Sequence, residues 1–361
     1  MFVAWRDLRF AKGRFALMGT VIVLITLLVG LLSGLTAGLA RENISAITGL
    51  PADRLAFAAP PAGQSVSFTN STVTEEQWTA WEERPGVAEA APLGIRTLNA
   101  AAGDRTAAVS AFGSEPDAGL APAPVGPGRA VLSESAAEEL GVGVGDALKL
   151  GPLDATVAAV SGDASYSHTP VVWTSLDDWQ ALGHNGTGPE EQATVIALSG
   201  GKGADVDWAA GDKAAGTEAR TVDGALTAIG SYQAENGSLQ LMRGFLFAIS
   251  ALVIGAFFTV WTIQRSGDVA VLKALGASTP YLLKDALGQA VLMLTAGTLL
   301  GTGLAVGIGA LVSGGNVPFV LEPLTVLGPA AVIIVLGVLG AALSIRRITA
   351  VDPLTALGSA R

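Results

Sequence analysis

Few side chains in this 361-residue chain could carry out catalysis or bind a metal. The chain has no cysteine, and its two histidines, His168 and His184, lack the short helical spacing of zinc ligands. Ser133 and Ser135 flank Glu134, but no G-x-S-x-G turn surrounds them. The phosphate-binding pattern G-x-x-x-x-G-K-[ST] is also missing from the sequence. We therefore expect no catalytic residue, no metal site, only exposed or loop histidines, and no ATP hydrolysis by the chain alone.

A charged segment between two apolar blocks is the other place where chemistry could reside. It begins at residue 265 and reads RSGDVAVLKALGAS. The pattern predicts a short helix with Ser266 as its N-cap and Gly276 close to its C-terminal end. Val269, Leu272 and Leu275/Gly276 then fall on one side of the helix, while Asp268 and Lys273 point elsewhere. An ordinary connecting loop is the alternative, but an amphipathic helix of this kind can dock into the groove of a partner protein.

The elements on either side of that segment have the composition of membrane spans. Half of all residues are apolar, 14% are charged and the mean hydropathy is +0.51. About 20 apolar residues are needed to cross a bilayer as a helix. Four windows without any charge meet this length: residues 15–39, 245–264, 286–319 and 324–345.

Basic residues near the span ends predict the orientation of the chain. Lys and Arg collect before the first window, between the second and third, and after the fourth. By the positive-inside rule these ends, and both termini, are cytoplasmic. Residues 41–240 are then extracellular, and they hold 10 Lys/Arg against 26 Asp/Glu. No basic face is left for nucleic acid.

The extracellular region has the patterns of an α+β domain, with helices and strands that do not alternate strictly. Capped helices are predicted from Thr74 to about residue 84, from Ser133 to Leu140 and from Ser175 to Leu182. Strands are predicted at 94–98, 106–112, around 148, at 156–160 and at 169–173, with a Pro/Gly-rich loop over 114–129.

The predicted fold is therefore a membrane α-helical protein with four transmembrane helices and one large extracellular α+β domain between helices 1 and 2. Its predicted parts are an interfacial amphipathic helix at 1–14, bearing Phe2, Trp5 and Leu8, the first span at 15–39, the extracellular domain at 40–240, the second span at 241–264, the charged helix at 265–279, the third span at 280–313, the fourth span at 324–345 and a cytoplasmic tail at 346–361.

The charged segment resembles the coupling helix of the MacB/FtsX superfamily of ABC transporter permeases. The residues that carry the resemblance are Asp268, Val269, Leu272, Lys273, Leu275 and Gly276. Ala270 stands where the family usually has glycine. RRITAVDPLTAL near the C-terminus is similar to the family's closing motif, and VLSESAAEELGVGVGDALKL is similar to its external β unit.

This resemblance implies a non-catalytic permease subunit of the plasma membrane. A homodimer of such subunits would pair with two copies of an ABC ATPase, which bind ATP and magnesium, and the permease would hold no cofactor of its own. Closure of the helices would move the external domains without opening an aqueous channel. The lack of charge within the four windows agrees, because no ion pathway can be built from them.

The cargo implied by the resemblance is an amphiphile, with haem favoured because the chain looks like stand-alone haem exporters of Gram-positive bacteria. Axial ligands would come from the outer ends of the first two spans. The candidates are Glu42, Tyr232 and Met242, with Arg41 and Arg243 for the propionates. Each of them is equally typical of an interface anchor or a snorkelling charge.

Gly30, Gly34 and Gly38 follow one another at four-residue intervals in the first span. They leave one helix face without side chains, which predicts close packing against another helix. That helix could belong to a second copy of the chain or, within one subunit, to the second span.

Three other functions stay open on the sequence. One is a permease that transmits force to a cell-wall hydrolase, as in the cell-division branch of the superfamily. Another is an exporter of antimicrobial peptides or lipoproteins. A membrane-anchored external enzyme is disfavoured, since no nucleophile and base can be paired.

Overall fold

The computed structural model describes residues 12–183, 191–313 and 317–349. The chain divides into two compact units, a membrane unit of residues 1–38 and 238–361 and an external unit of residues 39–237. The predicted interfacial helix at 1–14 and tail at 346–361 lie largely outside the described residues, as does His184.

Four helices are long and apolar enough to cross a membrane within the part of the chain that the structure describes. They are α1 (Lys12–Thr48), α7 (Gly230–Gln264), α9 (Thr279–Val312) and α10 (Pro323–Thr349). A short helix, α8 (Ser266–Ala274), lies between α7 and α9. The predicted four-helix membrane architecture is therefore confirmed.

Two of these helices are longer than the charge-free windows suggested. α1 continues to Thr48, and α7 begins at Gly230, eleven residues before the predicted start of the second span. Each window ends where the charged residues begin. In the structure the helices continue through charged residues, and Arg41, Glu42 and Glu235 are helical. The boundary between the two units accordingly falls within both helices.

The glycine face of α1 is covered by other parts of the same chain. A Cβ added at Gly30 would lie 2.8 Å from the Cβ of Ala305 in α9. A Cβ at Gly34 would overlap the ring of Phe319. In return, a Cβ at Gly301 of α9 would lie 2.6 Å from the carbonyl oxygen of Val23. α1 and α9 can therefore approach closely because side chains are missing on both sides.

Gly38 completes this face, since a Cβ there would overlap the backbone of Pro318. The expectation that the second span packs on these glycines is wrong. Within one chain their partners are α9 and residues 318–319.

The external unit is built on a ten-stranded sheet with the order β12-β1-β11-β3-β4-β9-β5-β7-β6, to which β8 adds by pairing with β9. Its strands are β1 (Arg54–Ala58), β3 (Val87–Ala102), β4 (Arg105–Ser114), β5 (Arg129–Leu132), β6 (Ala147–Leu150), β7 (Leu153–Val160), β8 (Ser165–Tyr166), β9 (Thr169–Ser175), β11 (Val195–Gly200) and β12 (Thr217–Thr221). β6 also pairs with the C-terminal end of β3. The six strands from β3 to β6 in the sheet order, namely β3, β4, β9, β5, β7 and β6, therefore close into a ring. Two short strands, β2 (Val73–Thr74) and β10 (Gln192–Ala193), pair separately.

Within the residues that the structure describes, six short helical pieces pack around the sheet. They are α2 (Glu75–Glu82), α3 (Glu134–Leu140), α4 (Leu176–Ala181), α5 (Trp208–Ala215), α6 (Val222–Ala225) and a 3-10 turn at Leu226–Ala228. Three apolar clusters hold this unit together, centred on Phe57 and Phe112, on Trp81 and Trp179, and on Leu132. The extracellular region is thus α+β, as predicted.

Local chemistry explains why the capped helices were predictable. Ser133 accepts a hydrogen bond from the amide of Ala136, and α3 ends at Gly141 with φ 66°. Ser175 caps α4 in the same way through Asp178, and the side chain of Gln77 accepts from the amide of Thr74 at 3.1 Å. Side-chain oxygens satisfy amides that the first helical turn leaves unpaired.

Candidate coupling segment and outer helix ends

The segment between α7 and α9, residues 265–279, is called the coupling segment below. α8 occupies Ser266–Ala274 and is followed by Leu275 and by Gly276, whose φ is +94°. A left-handed residue after the last turn is a common helix stop, and glycine takes this conformation without strain. With nine residues, or about two and a half turns, α8 is six residues shorter than the predicted helix at 265–279.

Ser266 does not cap α8. Its hydroxyl donates to the carbonyl oxygen of Ile263 at 2.7 Å, and the preceding Arg265 has helical φ and ψ values. α7 and α8 therefore follow each other with almost no break. The amide of Arg265, between them, bonds to the carbonyl oxygens of Trp261 and Thr262 in α7.

The apolar residues of the coupling segment divide into a covered side and an exposed side. Ala270 is buried, and Val269 and Leu272 are half-buried. Val271 is 53% exposed and Leu275 is 79% exposed. The exposed pair is four residues apart, so it forms one ridge, which we call the Val271/Leu275 ridge. Leu275 was expected on the same side as Val269 and Leu272, and it belongs to the opposite side.

The remaining predicted coupling residues are placed as follows. Lys273 is half-buried at the end of α8, and Gly276 occupies the turn. The side chain of Asp268 lies outside the described part of the chain.

A polar brace joins the two ends of the coupling segment. The guanidinium of Arg265 donates to Oε1 of Gln289 at 2.6 Å, and Nε2 of Gln289 donates to Oδ2 of Asp285 at 3.1 Å. A second guanidinium nitrogen of Arg265 lies 3.9 Å from the same carboxylate, and both charged side chains are at most 15% exposed. The guanidinium also lies 5.4 Å from the ring centroid of Trp261. Buried charges are stable only when they are paired in this way, so the brace fixes α7 against α9.

At the other end of α1 and α7, a second group of polar residues meets within the external unit. Its members, called the outer cluster, are Glu42, Asn43, His168, Ser231 and Glu235. Nε2 of His168 lies 2.9 Å from Glu235, and Nδ1 lies 3.7 Å from Glu42. Asn43 donates to Glu235 at 3.3 Å and accepts from the hydroxyl of Ser231 at 2.9 Å.

His168 reaches these partners because its backbone is left-handed, with φ 63°, in the turn between β8 and β9. Burial is the main cause that raises the pKa of Glu139, and the carboxylates of Glu138 and Glu42 raise it further.

The outer cluster could not be predicted as a whole from the sequence. Glu42 was identified, but residues 43, 168 and 235 are far apart in the chain. No group of three metal-binding side chains suited to a metal ion occurs among the described residues.

The haem-ligand candidates are divided between the two units. Arg41 is exposed and Glu42 is half-buried in the outer cluster, while Tyr232 packs against the apolar core of the external unit. Met242, 48% exposed, and Arg243 follow in the part of α7 that belongs to the membrane unit.

Comparison with known proteins gives two family matches that together cover most of the chain. Residues 15–212 match the MacB-like periplasmic core domain, and residues 241–353 match the FtsX-like permease C-terminal domain. A protein of Staphylococcus haemolyticus, named as hemin transport system permease HrtB, is 27% identical over 99% of both chains. An uncharacterised ABC transporter permease of Mycobacterium bovis is 24% identical, again over 99% of both chains. The periplasmic region of MacB from Actinobacillus actinomycetemcomitans aligns with 49% of this chain and 92% of its own, with 11% identity and a TM-score of 0.35.

Proposed function

Because the chain belongs to the MacB/FtsX family of ABC transporter permeases, we propose that it exports an amphiphile, haem, using ATP hydrolysed by a separate ATPase subunit. The full-length similarity to a permease named for hemin transport supports this cargo. The spans agree with an amphiphile as cargo, since the four charge-free windows offer apolar surface and no ion pathway.

The Val271/Leu275 ridge is the observation that supports the coupling step. An exposed ridge of two large apolar residues beside charged ones is the pattern of a helix that docks into a groove. We infer that the ATPase provides this groove. Motion received by α8 would pass into α9 through the brace of Arg265, Gln289 and Asp285, because those side chains leave little freedom between the two helices.

The proposed haem-binding residues form two separate sets. In the external unit they are Glu42 and Tyr232 as candidate iron ligands with Arg41 as a candidate propionate partner, and in the membrane unit they are Met242 as a candidate iron ligand with Arg243 as a candidate propionate partner. Phenolate and thioether groups ligate haem iron in proteins, and arginine pairs with carboxylates such as the haem propionates. We further propose a homodimer with two ATPase copies and with both termini in the cytoplasm, as the distribution of Lys and Arg indicates.

ATP hydrolysis by the reconstituted complex tests this function. The full chain would be placed in nanodiscs with the ATPase encoded beside it, and phosphate release would be measured with and without hemin. We expect hemin to stimulate hydrolysis. Leu275→Ser should reduce both the stimulation and the binding of the ATPase by about tenfold, which corresponds to the free energy of burying one leucine side chain. Val144→Ser is the matched control, because Val144 is also exposed, at 68%, but lies in the external unit.

Hydrolysis that hemin does not change, together with normal ATPase binding, would contradict haem export. The same result would favour the second candidate, transmission of force to an external cell-wall hydrolase. The outer cluster supports that candidate, because it ties α1 and α7 to the β8–β9 turn. A permease of this second type should activate its hydrolase in the presence of ATP without any small molecule.

A further inference from the structure

The external unit contains a cavity of about 390 Å³ whose residues play no part in the function proposed above. It lies between β3, the chain around residues 68–72, the end of β8, helix α4 and the chain around residues 192–194. Cavities that bind small molecules usually have volumes of about 300–1,000 Å³. The size of the cavity therefore admits a small organic molecule.

Three aromatic side chains give this cavity apolar walls. Phe68 is 4% exposed, Tyr166 is 8% exposed and Trp179 is 7% exposed. Phe68 and Tyr166 meet edge to face at 5.7 Å between ring centroids. Glycines at positions 94 and 113 leave room for the indole of Trp179, since a Cβ at either would overlap it. The walls are consequently fixed by packing and do not need a ligand to form.

Arg96 supplies the positive charge of the cavity. Its guanidinium lies 5.3 Å from the ring centroid of Trp179, and one of its nitrogens donates to the carbonyl oxygen of Leu182 at 3.1 Å. Burial lowers the pKa of Arg96, yet an arginine stays charged at neutral pH. Arg96 makes no ion pair with any other residue that the structure describes. A half-buried cation without a carboxylate is one that an anion would stabilise.

Tyr166 supplies a second polar group. Its side chain is more than nine-tenths buried, and its hydroxyl makes no hydrogen bond within the described part of the chain. Burial raises the pKa of Tyr166, so the phenol keeps its proton and can donate.

Several other polar side chains around the cavity already have partners. Thr194 exchanges hydrogen bonds with the backbone of Ile95, and the hydroxyl of Thr97 lies 3.2 Å from that of Ser110. The side-chain amide of Gln180 donates to the carbonyl oxygen of Gln192. Arg96 supplies the charge with capacity for a ligand and Tyr166 supplies a hydroxyl. The buried indole N–H of Trp179, which has no hydrogen-bond partner in the described part of the chain, is a further donor.

We propose that this cavity binds a small aromatic carboxylate, with its carboxylate on Arg96 and Tyr166 and its ring against Phe68 and Trp179. Arginine and carboxylate match in charge and geometry, and aromatic walls favour a flat ring. The site is separate from the candidate haem ligands and from the coupling segment. It makes the external unit a receptor for a second molecule, whatever the membrane unit transports.

Two probes of nearly the same shape, one charged and one neutral, test this site. The full chain in nanodiscs would be titrated calorimetrically with 2-naphthoate and with its neutral analogue 2-naphthamide, and empty nanodiscs would give the blank. We expect saturable binding of one naphthoate per chain and binding of the amide at least about tenfold weaker, because the amide loses the charge-assisted bond to Arg96.

Substitutions locate the binding. Arg96→Gln should weaken naphthoate about tenfold or more and leave naphthamide little changed. Tyr166→Phe removes only the hydroxyl and should weaken naphthoate severalfold. Arg129→Gln is the matched control, since Arg129 is an exposed arginine of the same sheet and does not line the cavity.

Equal affinity for naphthoate and naphthamide, or naphthoate binding that survives both Arg96→Gln and Tyr166→Phe, would overturn the proposal. So would the lack of any saturable signal above empty nanodiscs. The comparison of the two probes on the unaltered chain decides the matter even if Arg96→Gln disturbs folding. Neither probe involves ATP or hemin, so a negative result here leaves the proposed export function untouched.

Discussion

Single residues hold the base of the coupling segment together. Gln289 is 2% exposed and uses both ends of its side-chain amide, accepting from Arg265 and donating to Asp285. No charge marks Gln289 in the sequence, where it appears as one polar residue within a long apolar window. Its importance comes from where it lies in space, one turn after Asp285 and opposite the end of α7.

Gln289→Leu should destabilise the membrane unit by about 1–3 kcal/mol, because Arg265 and Asp285 each lose a buried hydrogen bond. Thermal unfolding of the purified chain in detergent measures this as a lower Tm. The exposed Gln240 gives a matched control, and Gln240→Leu should leave the Tm nearly unchanged. Equal melting of the two variants would mean that the brace contributes nothing to stability.

Glu115 is a second informative residue, on the external unit. Burial raises its pKa, and the carboxylates of Glu82, Glu191, Asp117 and Asp177 raise it further. The folded chain therefore binds the proton of the Glu115 carboxyl more tightly than the unfolded chain does. This proton stabilises the folded state fully below the ordinary pKa of 4.5, and the stabilisation is lost as the pH rises through the raised pKa.

Glu115→Gln should therefore reduce the loss of thermal stability between acidic and neutral pH. The part of the effect that comes from the neighbouring carboxylates should shrink in high salt, which screens surface charges. Glu89→Gln, at an exposed position of β3, serves as the control and should follow the pH dependence of the unaltered chain. A steeper pH dependence in Glu115→Gln would contradict the assignment.

Among the elements, α8 depends on two glycines of opposite kinds. Gly276 has φ +94°, which strains any residue with a Cβ, whereas Gly267 lies inside the helix with open space around it. The sequence contains both glycines and cannot distinguish them, since the sign of φ depends on where the helix stops.

Gly276→Ala should destabilise the turn by about 1 kcal/mol or more, while Gly267→Ala should stabilise α8 by up to about 1 kcal/mol. Hydrogen exchange of the amides in residues 266–279 measures both changes, with faster exchange in the first variant and slower exchange in the second. Faster exchange in both would show that α8 is not the helix described.

The helices and strands differ in whether they could be predicted from the sequence. The capped helices at 134–140 and 176–181 were predictable, because a serine and the amides that follow it are neighbours in the chain. β1, β11 and β12 were not predicted, since only pairing with distant strands makes strands of them. The outer cluster and the Val271/Leu275 ridge were missed for the same reason. Each depends on tertiary packing that no local pattern encodes.

The whole molecule makes a testable prediction about its orientation in the membrane. The chain has no cysteine, so a single introduced thiol is a unique reporter. In intact cells, a membrane-impermeant maleimide should label Val144→Cys and spare Lys273→Cys until the membrane is opened. Both positions lie outside the predicted spans. Because Lys273 is half-buried and Val144 is exposed, labelling of Lys273→Cys after the membrane is opened is the control for its accessibility. Labelling of Lys273→Cys in intact cells would place the coupling segment outside and remove the ATPase from the mechanism.

The length of α1 has a mechanical consequence. A helix rises 1.5 Å per residue, so its 37 residues extend for about 55 Å, roughly twice the thickness of the hydrocarbon layer. A tilt of about 10° applied at one end of such a rod would carry the opposite end sideways by about 10 Å. A small tilt of α1 near one membrane surface would thus displace its opposite end, beyond the other surface, by a distance of molecular size.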